Sequence, residues 1–438
     1  GVTSGVSVGL LARNHRGFVE AATGVAAAGG DLILLNTGFA GPQVADVVHH
    51  EDVQIVIHDD EFTAEIEGCG ARLTIGEHDL DELARSGTVE PPDGHGRVVI
   101  LTSGTTGRPK GAARTSDDAG IEGVGAVLDR IPLRLRDTQV VAAPLFHAWG
   151  LSQATMALAT ASTLILRRRF MAAEALRLLS EQEIDVLAVV PLMLRRILQE
   201  DSAREINRPR LVLSSGNVLS GDLAREWMDR YGDHLYNLYG STEAAIGTIA
   251  DPEDLRASPG TVGRPPRGVT LSILDEQGMP VPPGTSGRVF LSSSLQFSGY
   301  TDGSDGTRSG TMLATGDMGW IDDGGRLHVR GRANDMIVTG GENVFPSRVE
   351  EIIDRLPEIE MSAVVGVDDE EYGQRVVAFV VPRKGWAIDT ERLQDAAAVD
   401  LPSFMVPREV VVVDALPMTT TGKVIRHRLA VLGDRDRV

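Results

Sequence analysis

Residues 101–111 read Leu101-Thr102-Ser103-Gly104-Thr105-Thr106-Gly107-Arg108-Pro109-Lys110-Gly111 and directly follow a strand-like apolar run at 98–101. Glycines let the backbone turn tightly and approach an anion closely. The four hydroxyls and the turn amides can donate to phosphate oxygens, and Lys110 adds positive charge. This is not a Walker A loop, which needs Gly-Lys-Ser/Thr opening a helix; here Lys110 stands between Pro109 and Gly111. A second segment, Tyr236-Asn237-Leu238-Tyr239-Gly240-Ser241-Thr242-Glu243, also ends a strand-like run. Open α/β sheets collect ligands at the carboxyl ends of their strands. In that position Tyr239 suits a base, Thr242 a phosphate and Glu243 a Mg²⁺ ion, although alone the segment reads as a packed tyrosine with a capping threonine. Thr315-Gly316-Asp317 and Gly331-Arg332-Ala333-Asn334-Asp335 offer an Asp and an Arg suited to the two hydroxyls of a ribose. Singly, each is a turn. The second of them runs on into Gly340-Gly341-Glu342-Asn343-Val344, and Pro417-Met418-Thr419-Thr420-Thr421-Gly422-Lys423 lies close to the C-terminus.

These segments need elements to position them. Up to about residue 240, short β-branched runs alternate with helical patterns. Strands are expected at 6–11, 32–35, 53–58, 98–101, 140–143, 186–190, 211–214 and 235–238, with helices at 18–28 and 42–50 among others. Such alternation implies parallel sheets covered by helices. After residue 260 the chain becomes β-rich with Gly and Pro punctuation: strands at 270–274 and 288–292, and a hairpin over 320–329. From about Asp335 a small α+β unit follows. Val349, Ile352, Ile353 and Leu356 fall at helical spacing, 361–367 and 375–381 are apolar strands, 389–398 is a polar helix and 409–413 a last strand.

With 438 residues, two or more domains are expected. Hydrophobic residues at 42% and charged residues at 24% give the balance of a folded protein. The formal charge of −20 repels nucleic acid and anionic membrane surface, and any site for an anionic ligand must be locally positive. The lone cysteine, Cys69, excludes an intramolecular disulfide, and with no basic neighbour it reads as an inert side chain. The chain opens on Gly1 without a basic segment ahead of an apolar run, so no signal peptide is read. The uncharged stretch 148–166 approaches membrane-spanning length but carries Gly150, Ser152, Gln153 and four further Thr or Ser residues. A buried helix followed by a strand at 163–166 accounts for it. The expected location is the cytosol, with no membrane insertion.

Taken in order and spacing, the motifs resemble the adenylate-forming superfamily of acyl- and aryl-CoA synthetases, firefly luciferases and peptide-synthetase adenylation domains. The hydroxyl-rich loop, Tyr-Gly-Ser-Thr-Glu, Thr-Gly-Asp, Gly-Arg-x-x-Asp and the terminal Thr-Gly-Lys are all present, and the resemblance covers nearly the whole chain. Pro144-Leu145-Phe146-His147-Ala148-Trp149-Gly150 fits as well, since the family uses this His-containing segment beside the acyl pocket. The resemblance implies an α/β fold with a large N-terminal domain over 1–334: βα sheets to about 260, then a β subdomain over about 261–334. A small mobile C-terminal lid follows over 335–438. It implies an ATP-dependent ligase that activates a carboxylic acid as an acyl-adenylate and passes the acyl group to coenzyme A. It gives Thr102, Ser103, Gly104, Thr105, Thr106 and Lys110 to the pyrophosphate end of ATP. Tyr239, Gly240 and the Ser215-Gly216-Asn217 turn go to adenine, Asp317 and Arg332 to ribose, and Glu243, with Thr242 beside it, to Mg²⁺ and the phosphates. Lys423 bridges the acyl carboxylate and the α-phosphate, Asp335 is the hinge, Gly340 and Gly341 line the pantetheine tunnel, and His147, Trp149 and Gly240 line the acyl pocket.

The chain departs from the family pattern in places. Members carry some tens more residues ahead of the segment that opens this chain, which bears on stability and on a possible homodimer. Arg348 stands where an acidic residue is common, and Asn217 where a small one is. Two other readings compete: an acyl-AMP ligase loading a carrier protein, and an inactive nucleotide- or acyl-binding relative. Retention of Lys110, Glu243, Asp317, Arg332 and Lys423 speaks against the second. Leu- and Val-rich segments, with Gly216 and Gly240 leaving room, point to a medium- or long-chain fatty acid. Because His147 and Trp149 lie two apart, an extended segment would turn both toward the pocket.

Overall fold

The protein is represented by a computed structural model that describes residues 2–83, 92, 94–103, 109–115, 121–200, 206–419 and 422–435. The chain divides into two compact units, one of Gly1–Ser272 with Phe290–Thr315 and one of Ile273–Val289 with Gly316–Val438.

The first unit holds two sheets. One is built from β1 (Ser7–Leu11), β2 (Asp31–Leu34), β3 (Ile55–His58), β4 (Leu73–Ile75), β5 (Arg97–Ser103) and β6 (Pro109–Thr115), in the order β6-β5-β2-β1-β3-β4. Its inner strands are parallel, with Gly9 of β1 between Ile33 and Val56, while β6 runs antiparallel to β5. Beyond β6 the two-residue strand Gly299–Tyr300 closes the edge, also antiparallel. The second sheet contains β7 (Thr138–Val141), β8 (Thr163–Ile165), β9 (Val186–Val189), β10 (Leu211–Ser214), β11 (Leu235–Ser241) and β12 (Ala245–Ala250), ordered β8-β7-β9-β10-β11-β12. Only the β11–β12 pair is antiparallel. These strands are apolar because both faces are covered, as parallel sheets require. Leu211 and Leu213 of β10 enter one core with Val127, Ile131 and Met156, whereas Val212 enters another with Leu223, Trp227 and Met228.

Local chemistry sets the helix ends. Pro42 starts the helix Gly41–His50, whose Val44, Val47 and Val48 are buried at spacings of one turn. Ser220 caps Gly221–Tyr231 by accepting from the Leu223 amide at 3.3 Å, and Gly232 at φ +107° ends it.

In the second unit, Asp317 pairs with Arg332 and Ile321 with Leu327 in an antiparallel hairpin. A small sheet follows. Its long pair Ile359–Asp369 and Gly373–Pro382 is flanked by Ile337–Thr339 and, in parallel, by Glu409–Val412. Helix Pro346–Ile353 buries Val349, Ile352 and Ile353 against it, and Asp389 caps helix Thr390–Asp400. Expected elements and observed ones agree to within a few residues across both units. Cys69 is free and buried, and none of the described helices is long and apolar enough to cross a membrane.

Trp227 is fully buried at the centre of the largest core, with its ring 4.7 Å from that of Tyr231. Trp227→Ala should cost about 3–5 kcal/mol, read as a lowered denaturant midpoint of the unit that contains it.

Candidate active site

β5 and β6 form a hairpin in register Thr102 opposite Lys110 and Ser103 opposite Pro109, and the Thr102 hydroxyl donates to the Lys110 carbonyl at 3.2 Å. Gly104, Thr105 and Thr106 lie outside the described residues. Lys110 is thus the second residue of the return strand. Its ammonium lies 3.1 Å from Asp302 Oδ2, 3.3 Å from Ser304 Oγ and 5.3 Å from the Tyr300 ring centroid, a cation–π distance. The Ser304 hydroxyl, its amide and Lys110 together hold the Asp302 carboxyl down to about 2.

The Tyr239–Glu243 segment is a tight hairpin between β11 and β12. Tyr239 pairs with Thr248, Ser241 pairs with Ala245, and a bulge falls between Tyr239 and Gly240. A Cβ on Gly240 would lie 1.8 Å from the Ala245 carbonyl oxygen, and Ala245 itself has φ +61°. The glycine is required by the close approach of the hairpin's own backbone. Tyr239 donates to Thr315 Oγ1 at 3.0 Å. Tyr300 donates its phenolic hydrogen to Glu243 Oε1 at 2.8 Å, and Arg114 Nη2 donates to the Thr242 carbonyl at 2.6 Å. One tyrosine thus joins the lysine of the phosphate loop to the acidic residue of the second motif. Arg114, Tyr300 and Asp302 were not singled out by the sequence, because their types are ordinary and the pairing that gathers them is long-range.

Ser215, Gly216 and Asn217 turn out of β10, with Gly216 at φ +87° and the Asn217 side chain accepting from the Val218 amide at 2.9 Å. His147 is extended at φ −101°, but helix Ala148–Ala159 starts directly after it. The expectation that His147 and Trp149 share one face of an extended segment is therefore overturned, since two residues along a helix point to nearly opposite sides. Trp149 donates its indole N–H to Val189 O at 2.9 Å, at the carboxyl end of β9, and packs against three cores. A Cβ on Gly150 would sit 2.2 Å from the Pro144 carbonyl oxygen, so this helix must begin pressed against the segment before it.

In the second unit, Asp317 and Arg332 face each other across the hairpin at 3.4 Å, beside Gly316 at φ +80°. Asp335 ends a short 3₁₀ turn, and its carboxylate lies 3.5 Å from Arg426 Nε. Arg426 also donates to Glu350 Oε1 and to the Val364 carbonyl, both at 2.6 Å. Gly340 and Gly341, at φ +57° and +85°, make the turn between Ile337–Thr339 and Glu342–Val344. Lys423 is exposed. Its amide donates to Thr419 Oγ1 at 3.1 Å, while its carbonyl accepts from the Thr419 amide at 2.8 Å. Arg348 pairs with Glu351 at 2.9 Å on a helix surface.

Glu243 is a single carboxylate, joined through Tyr300 to Lys110. That donor set fits Mg²⁺, which binds through one or two carboxylates together with substrate phosphates rather than in an all-protein cage.

The AMP-binding enzyme family matches residues 1–301, and the AMP-binding enzyme C-terminal domain matches 348–423. Feruloyl-CoA synthase of an Amycolatopsis species is 31% identical over 443 residues, covering 97% of this chain and 88% of the relative. The fatty acid–[acyl-carrier-protein] ligase ScoC of Streptomyces coeruleorubidus is 28% identical, covering 98% and 87%. The crystal structure of ATP-bound MatB from Rhodopseudomonas palustris superposes with a TM-score of 0.89 at 29% identity, over 99% of this chain and 89% of that one. With a family match across most of its length and the phosphate-loop and acidic motifs joined by Tyr300, the chain belongs to the AMP-binding enzymes, the adenylate-forming family of ATP-dependent acyl- and aryl-CoA ligases.

Proposed function

We propose that the protein joins a medium- or long-chain fatty acid to coenzyme A through an acyl-adenylate. The observation that carries the adenylation half is the Tyr300 bridge, with its ring at Lys110 and its hydroxyl on Glu243. It sets a cation for phosphate and a carboxylate for Mg²⁺ beside one another on the first unit. A carboxylate is a poor acyl donor until its oxygen has displaced pyrophosphate from the α-phosphorus. That step gathers negative charge, which Lys110 and Lys423 would offset electrostatically. Bound Mg²⁺, held by Glu243, would supply further charge stabilisation on the phosphates. AMP then becomes the leaving group when the coenzyme A thiol attacks the carbonyl carbon. Asp317 and Arg332 keep the ribose role, Tyr239 and the 215–217 turn the adenine role, and Gly340 and Gly341 the pantetheine role. Asp335 is the proposed hinge between the two half-reactions.

The Leu- and Val-rich segments support the fatty acid, and Trp149, anchored at the carboxyl end of β9, sits where sheets of this kind collect ligands. An aryl acid is the second reading, favoured by the feruloyl-CoA synthase relative. Pyrophosphate release across fatty, aryl and amino acids, with coenzyme A, a holo carrier protein or no acceptor, decides among these. Fatty acids with coenzyme A should give the highest rates. Turnover confined to cinnamate-like acids would replace the substrate, turnover only with a carrier protein would replace the acceptor, and no release with any acid would remove the ligase.

Lys423→Ala should lose acid-dependent pyrophosphate exchange by about 10²–10³, roughly 3–4 kcal/mol of transition-state stabilisation. The same variant, given synthetic acyl-AMP and coenzyme A, should form thioester near the wild-type rate. Parallel loss of both half-reactions in a protein with native circular dichroism would remove the two-conformation scheme.

Asp335→Pro fixes φ at a residue proposed to take two backbone states, so it should slow thioester formation more than adenylation. Equal slowing, measured on the separated half-reactions, would mean that the hinge lies elsewhere.

A further inference from the structure

Side chains alternate along β6. Lys110, Ala112 and Arg114 therefore share one face, and Ala113 takes the other. The cores confirm the division: Ala112 packs with Ala244, Tyr239 and Tyr300, whereas Ala113 packs with Ile33 and Val99. Tyr300 is paired opposite Ala112, so its side chain rises between Lys110 and Arg114. Over this strip sits the Thr242–Glu243 turn. Lys110 has its place in the phosphate loop, and Arg114, four residues along, has no role in the proposal above.

Arg114 donates from Nη2 to the Thr242 carbonyl at 2.6 Å, and its Nε is buried with no hydrogen-bond partner. Burial lowers its pKa, and the neighbouring Glu243 carboxylate opposes that shift. Desolvating a guanidinium is costly, and leaving one of its donors unbonded adds to the cost. A neutral amide would serve a single carbonyl as well and more cheaply. The position therefore uses the charge, and the charge faced by Arg114 is that of Glu243.

We propose that Arg114 is a positioning residue for the metal–nucleotide complex. Its bond to the Thr242 carbonyl fixes the turn, and its charge balances Glu243 so that the carboxylate is held toward Tyr300 and Lys110 before the metal arrives. The inference rests on Glu243 as the Mg²⁺ ligand, as proposed above.

Three variants separate charge from hydrogen bonding. Arg114→Gln keeps a donor for the Thr242 carbonyl and drops the charge, Arg114→Lys keeps the charge, and Arg114→Met drops both. The probe is Mn²⁺ with a non-hydrolysable ATP analogue, followed by electron paramagnetic resonance on the full chain, alongside KM for MgATP and kcat. Residues that orient a metal ligand typically change metal affinity about 10- to 100-fold. The Gln and Met variants should weaken Mn²⁺ binding and raise KM for MgATP by that order, with a smaller change in kcat. The Lys variant should recover most of the loss. Gln binding Mn²⁺ like the wild type would overturn the proposal, as would a lowered melting temperature in all three variants with unaltered Mn²⁺ affinity. Glu243→Gln is the control for the underlying reading: if it binds Mn²⁺ as tightly as wild type, Glu243 is no ligand and the role of Arg114 falls with it.

Discussion

The pairing of Gly299–Tyr300 with the edge of β6 is the constraint on which the nucleotide end of the site depends. Tyr300 sits opposite Ala112, which places its ring by Lys110 and its hydroxyl on Glu243. Alternation makes this register unforgiving, since a slip of one residue would carry Tyr300 to the other face of the sheet. The pairing is short and needs other support. Thr301 supplies it, its amide donating to the Gly111 carbonyl at 2.9 Å and its hydroxyl to Glu51 Oε1 at 2.8 Å. Gly299 at φ +134° and Gly303 at φ +78° take conformations that few other residues adopt, and so let the chain reach and leave the edge within a few residues.

A chain with net charge −20 in an ATP-dependent family needs locally positive ground for ATP. Around β6 two cations cluster, each balanced by a single acid. Lys110 is paired to Asp302, and both partners are about one-third exposed. Exposed pairs of this kind contribute little, so exchanging Asp302 for a phosphate oxygen costs the protein little. Arg114 is in the opposite situation. Its charge is desolvated, and the groups around it were assembled at folding, so it acts on the fixed part of the site while Lys110 acts on the exchangeable part.

What the sequence made legible was set by how local the signals are. The βα alternation, the β5 strand ahead of the phosphate loop and the 320–329 hairpin are carried by neighbouring residues, and they stand within a few residues of their expected limits. Glu243 and Lys110 were identified from motif order, and the structure shows the tyrosine that joins them. Tyr300, Asp302 and Arg114 were not legible. Lys110 and Ser304 are 194 residues apart, and no pattern in either stretch announces the other. The His147–Trp149 segment failed for a different reason. A helix from 148 onward, which the uncharged stretch itself implies, is incompatible with an extended segment through Trp149, and the structure has the helix.

Asp335, the proposed hinge, is held without being trapped. Arg426 is largely buried. Desolvation disfavours its charge, but Glu350 beside it, with Asp335 further off, brings the pKa above its ordinary value overall. The strong contacts are those to Glu350 and to the Val364 carbonyl at 2.6 Å, whereas Asp335 stands at 3.5 Å and is half exposed. Arg426 is thus already compensated without Asp335. Moving Asp335 away would leave no buried charge unpaired, which is the expensive outcome for an ion pair in a low-dielectric interior. The 3₁₀ turn over Ala333–Asp335 buries none of its residues, so no core packing opposes a change in its backbone either. A residue in this position can change φ and ψ for little more than one weak, partly solvated contact, and the sheet and helix that Glu350 and Arg426 tie together remain intact while it does so.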